Sequence, residues 1–149
     1  MKNTFAKAIV LLTVAATSSV ADTPYNAPQR VIYRAAVAGA TELKQALNSG
    51  LNVNAVDDDR ETALMQAADK GNLKAVRNLI AAGADVNLQD EDGETALMIA
   101  ADDGYTEIVR ALLSAGADTN LRNEDGETAL DISVKERHRE TAEVLRSAR

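Results

Sequence analysis

The sequence predicts an all-α repeat solenoid, a stack of short helix–turn–helix units, on three observations. The tetrapeptide Glu-Thr-Ala-Leu begins at Glu61, Glu94 and Glu127, in steps of 33 residues. Aligning 57–89 with 90–122 without gaps gives 20 identities in 33 positions. Apolar residues make up 46% of the chain but aromatic residues only 3%. The core must therefore be built from Ala, Leu and Val, which suits closely stacked helices.

The first helix of each unit has a marked beginning and end. Thr62, Thr95 and Thr128 stand where an N-cap is needed, because a threonine hydroxyl can accept from the free backbone N–H groups of a helix start. Apolar residues follow at helical spacing, which predicts a helix over 63–70 in the second unit. Gly71 ends it, since glycine adopts the left-handed conformation at little cost.

The second helix and a polar tip complete the unit. Val76 and Leu79 lie three residues apart on one predicted helix face, and Gly83 stops that helix. The extended segment 84–89 then leads to the Asp-Glu-Asp-Gly sequence at 90–93. This sequence predicts a β-turn at the tip of a β-hairpin finger.

The unit resembles the ankyrin repeat. The family pattern T-P-L-H-x-A is present as TALMQA from Thr62, TALMIA from Thr95 and TALDIS from Thr128, and G-A-D-V-N recurs from Gly83 and Gly116. The resemblance implies an ankyrin stack of about four helix–turn–helix units joined by β-hairpin fingers over 27–149. The units are a degenerate N-terminal cap at 27–56, two full repeats at 57–89 and 90–122, and a C-terminal cap at 123–149.

Two departures from the family pattern lead to further expectations. Met65, Met98 and Asp131 stand in place of the family's histidine. The hydrogen bonds which that histidine makes between turns should be missing, so some loss of rigidity is expected. The first unit also lacks one residue between its helices relative to the others.

The N-terminus has the three parts of a secretory signal peptide. Two lysines in the first seven residues precede an apolar stretch at 8–16, and Ser19 and Ala21 fit the small residues before a cleavage site. The apolar stretch is shorter than the roughly 20 residues that span a bilayer. We therefore expect a signal peptide at 1–21, a linker at 22–26, and a mature periplasmic or secreted chain without membrane insertion; an uncleaved anchor is the alternative.

The composition excludes several kinds of chemistry. The chain has no Cys, which rules out disulfides and thiolate metal sites. Its net charge of −7 argues against a nucleic-acid partner. His138, the only histidine, occupies a turn between helices and is expected to be structural. With Gly93 as position 6 of a calcium loop, position 1 would be Leu88, so that pattern fails. We expect no catalysis, no metal and no cofactor.

The resemblance also implies a concave binding surface built from the fingertips and the exposed side of the first helix. Asp57 and Asp90 are expected to hold their fingers by local hydrogen bonds. Ser133 and Lys135 are placed on the surface in the last unit. The remaining predicted binding residues are Asp58, Asp59, Glu61, Gln66, Asp69, Lys70, Glu91, Asp92, Glu94, Ile99, Asp102, Asp103, Glu124, Asp125 and Glu127.

This surface carries most of the negative charge. Fourteen of the 23 acidic residues lie on the fingers or at the ends of the first helices. Two interpretations stay open: the charge attracts a basic protein partner, or it keeps a small array soluble. The expected function is a non-enzymatic, monomeric protein–protein interaction module of the cell envelope or outside it. The alternatives are a host-directed effector that binds a eukaryotic protein and a structural spacer.

Overall fold

The computed structural model describes residues 28–148, and the regular structure in that range is α-helical. Consecutive helices pair into four units, which confirms the predicted all-α repeat solenoid. The predicted signal peptide at 1–21 and the predicted linker at 22–26 lie outside the described residues. The helices are α1 (Pro28–Ala38), α2 (Ala40–Asn48), α3 (Ala63–Asp69), α4 (Leu73–Ala81), α5 (Ala96–Asp102), α6 (Thr106–Ser114), α7 (Ala129–Lys135) and α8 (Arg139–Ser147).

The threonine N-caps form as predicted. The Oγ1 atoms of Thr62 and Thr95 each accept a hydrogen bond of 3.2 Å from the backbone N–H of the residue three positions later. Thr128 does the same at 3.3 Å. The three threonines are buried, so their hydroxyls satisfy donors that water cannot reach.

Two of the residues that replace the family's histidine make hydrogen bonds within the first turn of their own helix. The backbone N–H of Thr62 donates to the sulfur of Met65 at 3.3 Å. Asp131 accepts from both the backbone N–H and the hydroxyl of Thr128, at 2.9 and 2.8 Å. In α7 a carboxylate thus closes a capping box within the first turn. The expected loss of the hydrogen bonds between turns stays a prediction.

The core lies between two layers of helices. The first helices α1, α3, α5 and α7 pack in sequence, and α4, α6 and α8 pack behind them. Ala63, Ala67 and Ala68 are fully buried in α3, and the absence of larger side chains there lets neighbouring backbones approach closely. Leu97 and Leu112 fill the central unit and are at most 1% exposed.

The first unit has the predicted shorter connection. Gly39 alone separates α1 from α2, whereas three residues separate the helices of the next unit. Buried Ile32 lies 32 residues before buried Leu64, while Leu43 lies 33 residues before Val76. The two helices of this unit thus keep their neighbours' packing despite the missing residue.

The inter-helix turns of the second and third units each receive a ring from the following unit. Gly71 and Gly104 have φ values of 61° and 70°, and the rings of Tyr105 and His138 respectively lie over them. His138 Nε2 also donates to the carbonyl oxygen of Asp102 at 2.7 Å. This contact confirms the structural role predicted for His138.

The fingers are turns rather than paired strands. In the third unit Asp90 N–H donates to the Glu94 carbonyl at 3.0 Å, and Gly93 N–H donates to the Asp90 carbonyl at 3.2 Å. Within the described range only an isolated antiparallel bridge, between Val56 and Thr62, has strand character. The predicted β-turn is present, but the predicted β-hairpin is reduced to a single pair of residues at its base.

Candidate protein-binding surface

Neighbouring fingers are joined through their backbones. The carbonyl of Asp59 accepts from the N–H of Glu91 at 3.0 Å, and the carbonyl of Asp92 accepts from the N–H of Glu124 at 2.9 Å. These bonds bring the exposed fingertip acids of three units into one row. We call this row the acidic ridge; it consists of Asp58, Asp59, Glu91, Asp92, Glu124 and Asp125.

The carboxylates of the acidic ridge are close enough to repel one another. The pKa of Glu91 is raised chiefly by the negative charge of Asp59, with smaller contributions from burial and from Asp92 and Glu124. Asp59 and Glu124 belong to the two flanking fingers. The ridge therefore acts as one negative field rather than as three separate turns.

The base of each finger is held by a short polar side chain. The side chains of Asp57 and Asp90 each accept a hydrogen bond of 2.8 Å from the backbone N–H of the residue four positions later, as predicted. Asn123 accepts the equivalent bond in the last unit at 2.9 Å. Asp57 also accepts from the buried amide of Gln29 at 2.9 Å, which ties the first unit to the second.

A second row of acids lies behind the acidic ridge, where each finger meets the first helix. Glu61 and Glu94 are half-buried, and their pKa values are raised first by burial and then by the carboxylates of Asp57 and Asp90 respectively. Glu127, in the same position of the last unit, instead accepts from Lys135 Nζ at 3.0 and 3.3 Å. The three units thus differ in whether this acid has a cation.

The helix side of the surface is less uniform. Gln66 and Ile99 occupy equivalent positions on α3 and α5, and both are half-buried. Asp69, Lys70, Asp102 and Asp103 are exposed at or just beyond the helix C-termini, and Lys70 pairs with Asp69 at 2.5 Å. The surface therefore combines acidic edges with small apolar and amide patches.

Ser133 does not belong to this surface, so its placement there is wrong. Its side chain is fully buried and donates to the Leu130 carbonyl at 2.9 Å. In steps of 33 residues Ser133 corresponds to Ala100, which is also buried, and Ile132 corresponds to Ile99. The hydroxyl replaces a core methyl group and meets its hydrogen-bonding need inside its own helix.

The pairing of Glu127 with Lys135 was not predicted from the sequence. The two residues lie eight apart and on different elements, a loop and a helix, so neither helical nor strand spacing connects them. Comparing position 135 with its equivalents, Asp69 and Asp102, was the signal that could have found it. The lysine stands where the other two units have an acid.

The opposite side of the stack has a different character. A shallow groove between α4 and α6 is lined by both basic and apolar side chains, among them Arg77, Ile80 and Arg110. Arg110 makes exposed ion pairs with Glu107 at 3.4 Å and Glu140 at 3.6 Å. The charges on this side are mixed, in contrast to the acidic ridge.

The part of the chain that the structure describes holds neither a candidate metal site nor a candidate membrane span. No three His, Asp or Glu side chains between 28 and 148 are grouped so that they could hold a metal ion. No helix in that range has the length and apolar character needed to cross a membrane.

Stacked helix pairs with turn-shaped fingers and an exposed charged face define a helical repeat protein. A family model described as ankyrin repeats (3 copies) matches residues 10–90 and residues 64–149. The chain belongs to the ankyrin-repeat family, whose members are generally protein–protein interaction modules and typically non-enzymatic. The first match begins inside the predicted signal peptide. Comparison with curated proteins finds no matching relative.

Proposed function

We propose that this ankyrin stack is a monomeric, non-enzymatic module that binds a basic protein through its acidic ridge and the adjoining first-helix side. The observation that carries the proposal is the continuous row of exposed carboxylates across three fingers. The ion pairs within 28–148 use Asp69, Glu107, Glu127, Asp131 and Glu140, and none uses a residue of the ridge. The ridge is thus available to a partner's cations.

The distribution of charge along the stack supports a partner that spans the central units. Residues 57–134 contain 18 acidic and 6 basic side chains, a net charge of −12. Residues 28–56 and 135–149 each carry a net charge of +2. A field concentrated in this way attracts a basic partner and orients it over the middle of the array, which raises the association rate at low salt.

A triple reversal of the ridge tests this proposal. Asp59, Asp92 and Asp125 occupy the same fingertip position in three units, and Asp59→Lys/Asp92→Lys/Asp125→Lys should abolish capture of the partner that the wild-type chain retains. The matched control is Glu107→Lys/Glu140→Lys/Glu143→Lys, which changes the net charge equally but on the second-helix side, and it should retain binding. Helicity should be unchanged in both, since exposed substitutions cost under about 0.5 kcal/mol each.

The salt dependence and the control decide between this proposal and its alternatives. The affinity of the purified partner should fall as salt is raised, because exposed charges more than about 10 Å apart are screened at 0.1 M. If the ridge variant binds as tightly as wild type, the acidic ridge only maintains solubility. A spacer would retain no partner in either form, and a host-directed effector would retain a eukaryotic protein but none from its own cell envelope.

We also propose that the mature chain acts in the periplasm or outside the cell. The support is the sequence pattern of 1–21, with its basic start, apolar middle and small residues before a cleavage site. Intact-mass measurement of protein from its native source should give a chain that begins at Asp22. A full-length chain found in the cytosol would refute this location.

A further inference from the structure

The side chain at the base of each finger has two polar atoms with separate partners. In the second unit, Oδ1 of Asp57 accepts from the backbone N–H of Glu61 at 2.8 Å and so closes its own finger. Oδ2 of Asp57 accepts from the buried side-chain amide of Gln29, in the preceding unit, at 2.9 Å. One atom thus holds the finger, while the other links two units at what we call the first junction.

The last junction, between the third and fourth units, has the same two groups in exchanged positions. Oδ1 of Asn123 accepts from the backbone N–H of Glu127 at 2.9 Å, which closes the finger. The side chain of Asn123 also hydrogen-bonds to the carboxylate of Glu94, whose pKa is raised by burial and by Asp90 but lowered by this bond. Glu94 is the equivalent of Gln29, because the first unit is one residue short. Both outer junctions therefore pair an amide with a carboxylate.

The middle junction, between the second and third units, has a carboxylate on both sides. Oδ1 of Asp90 accepts from the backbone N–H of Glu94 at 2.8 Å and closes the finger. Oδ2 of Asp90 corresponds to the Asp57 atom that faces the preceding unit, where Glu61 now stands in the place of Gln29. Two hydrogen-bond acceptors therefore meet where each outer junction has a donor and an acceptor.

The groups around Glu61 favour its neutral form. Burial is the largest effect, and it raises the pKa of Glu61. The carboxylates of Asp57, Asp69 and Asp90 raise that pKa further. Lys70 opposes them, but its ammonium group is held by Asp69. Since Glu61 and Asp90 are both half-buried, water screens their repulsion less than it screens that of the fingertip acids.

The charged groups around Asp90 act in the same direction. Its carboxylate raises the pKa of Glu91 and Glu94, which belong to its own finger, as well as that of Glu61 in the preceding unit. One proton taken up by Glu61 or Asp90 removes a negative charge and turns one acceptor into a donor. Because the two carboxyl groups interact, this proton belongs to the pair rather than to either residue.

We propose that Glu61 and Asp90 form a pH-sensitive contact between the second and third units. With one shared proton, the two carboxyl groups hydrogen-bond to each other, as the side chains at the outer junctions do. Without that proton they repel. The middle junction also carries the bond of 3.0 Å from the Glu91 N–H to the Asp59 carbonyl, so the proton sets how firmly the acidic ridge is held together. The contact needs no partner and is independent of the proposed function.

The contact stabilises the stack on the acid side of its titration. The pKa of Glu61 is raised above 4.5 in the folded chain, so the folded chain binds the proton more tightly than the unfolded chain does. The stability that the shared proton contributes is therefore fully present below the unfolded pKa, and it is lost as pH rises through the raised pKa.

Two reciprocal substitutions exchange the middle and last junctions, and carboxyl NMR titration reads the result. Asp90→Asn gives the middle junction the amide of Asn123 and should lower the pKa of Glu61 toward 4.5. Asn123→Asp gives the last junction a second carboxylate and should raise the pKa of Glu94. The matched control Asp92→Asn removes the same charge from an exposed position of the same finger, and it should change the pKa of Glu61 less.

Hydrogen exchange measures the strength of the junctions themselves. The Glu91 N–H bonds across the middle junction, and the Glu124 N–H bonds to the Asp92 carbonyl across the last junction at 2.9 Å. In the wild-type chain, acidification should raise the protection of Glu91 relative to Glu124 about fivefold, the effect of one net hydrogen bond. In Asp90→Asn this ratio should stay constant with pH, because the amide supplies a permanent donor.

Three results would overturn the contact. These are an equal fall in the pKa of Glu61 in Asp92→Asn and Asp90→Asn, an unchanged pKa of Glu94 in Asn123→Asp, and no rise in the relative protection of Glu91 in acid. The exchange measurement on the wild-type chain needs no substitution, so it decides the question even if a variant folds poorly.

Discussion

The contact of the His138 ring with Gly104 leads to a stability prediction that isolates one inter-unit interaction. Gly104 has φ +70°, and a Cβ placed there would lie 2.5 Å from Nδ1 and 2.7 Å from Cγ of His138. Real Cβ atoms do not approach that closely, and the atoms they would meet belong to the body of a rigid ring. Gly104→Ala must therefore displace the ring as well as strain the backbone.

The expected cost is the sum of these two effects. An alanine in the left-handed region costs about 1–2 kcal/mol. Moving the ring breaks its 2.7 Å hydrogen bond to the Asp102 carbonyl, a loss of about 0.5–1.5 kcal/mol. Gly104→Ala should thus lower the free energy of unfolding by about 1.5–3.5 kcal/mol. Gly126→Ala is the matched control, because Gly126 has φ +77° and an added Cβ would meet nothing within 4 Å.

Equilibrium urea unfolding followed by circular dichroism measures these costs. The control should show only the backbone cost of about 1–2 kcal/mol. In the His138→Ala background the clash is absent, so Gly104→Ala should then cost the same as Gly126→Ala, a measurable coupling between the two residues. If Gly104→Ala costs no more than Gly126→Ala and is additive with His138→Ala, the ring does not lie over Gly104 in solution.

Two further predictions concern the core and the half-buried acids. Leu97, which is 1% exposed, lies in the central unit, and Leu97→Ala should cost about 2–5 kcal/mol in the same unfolding assay; a cost near zero would mean that the side chain is not in the core. The pKa values of Glu61 and Glu94 are raised above their ordinary 4.5. The folded state therefore binds more protons than the unfolded state, and the stability that these protons contribute is lost as pH rises through the raised pKa values. Glu61→Gln/Glu94→Gln should therefore raise the melting temperature more at pH 8 than at pH 5, and an equal effect at both pH values would contradict this.

The sequence predicts those features that depend on residues close together in the chain or on the 33-residue step. Thr62 and Thr95 cap their helices because the cap needs only the next three residues, and Asp90 closes its finger across four. The reduced hairpin was missed because the turn signal at 90–93 does not reveal how far the pairing extends beyond it. The Ser133 error was one of register, since a shift by one residue on a helix exchanges the half-buried position of Ile99 for the buried one of Ala100.

The candidate surface was predictable only in part, for a physical reason. Exposed acids can be assigned to fingers from the repeat alone. Repulsion between these acids depends on contacts between units, such as that of Asp59 with Glu91. The presence of a cation beside an acid depends on pairs such as Glu127 with Lys135. Long charged side chains reach in several directions, so no periodicity in the sequence fixes their partners.

The last finger shows that the fold itself does not require the negative charge. Asn123 accepts from the Glu127 N–H at 2.9 Å, as Asp90 accepts from the Glu94 N–H at 2.8 Å. A neutral amide therefore closes a finger with nearly the same geometry as a carboxylate. The acids of the ridge close no turn, since only the backbones of Asp59, Glu91, Asp92 and Glu124 join the fingers. Their mutual repulsion raises the pKa of Glu91 and opposes the stability of the stack. The side chains of the ridge make no hydrogen bond in the fingers that would offset this repulsion. The proposed binding of a basic partner would remove this repulsion, because the partner's cations would lie beside carboxylates that three units keep in register.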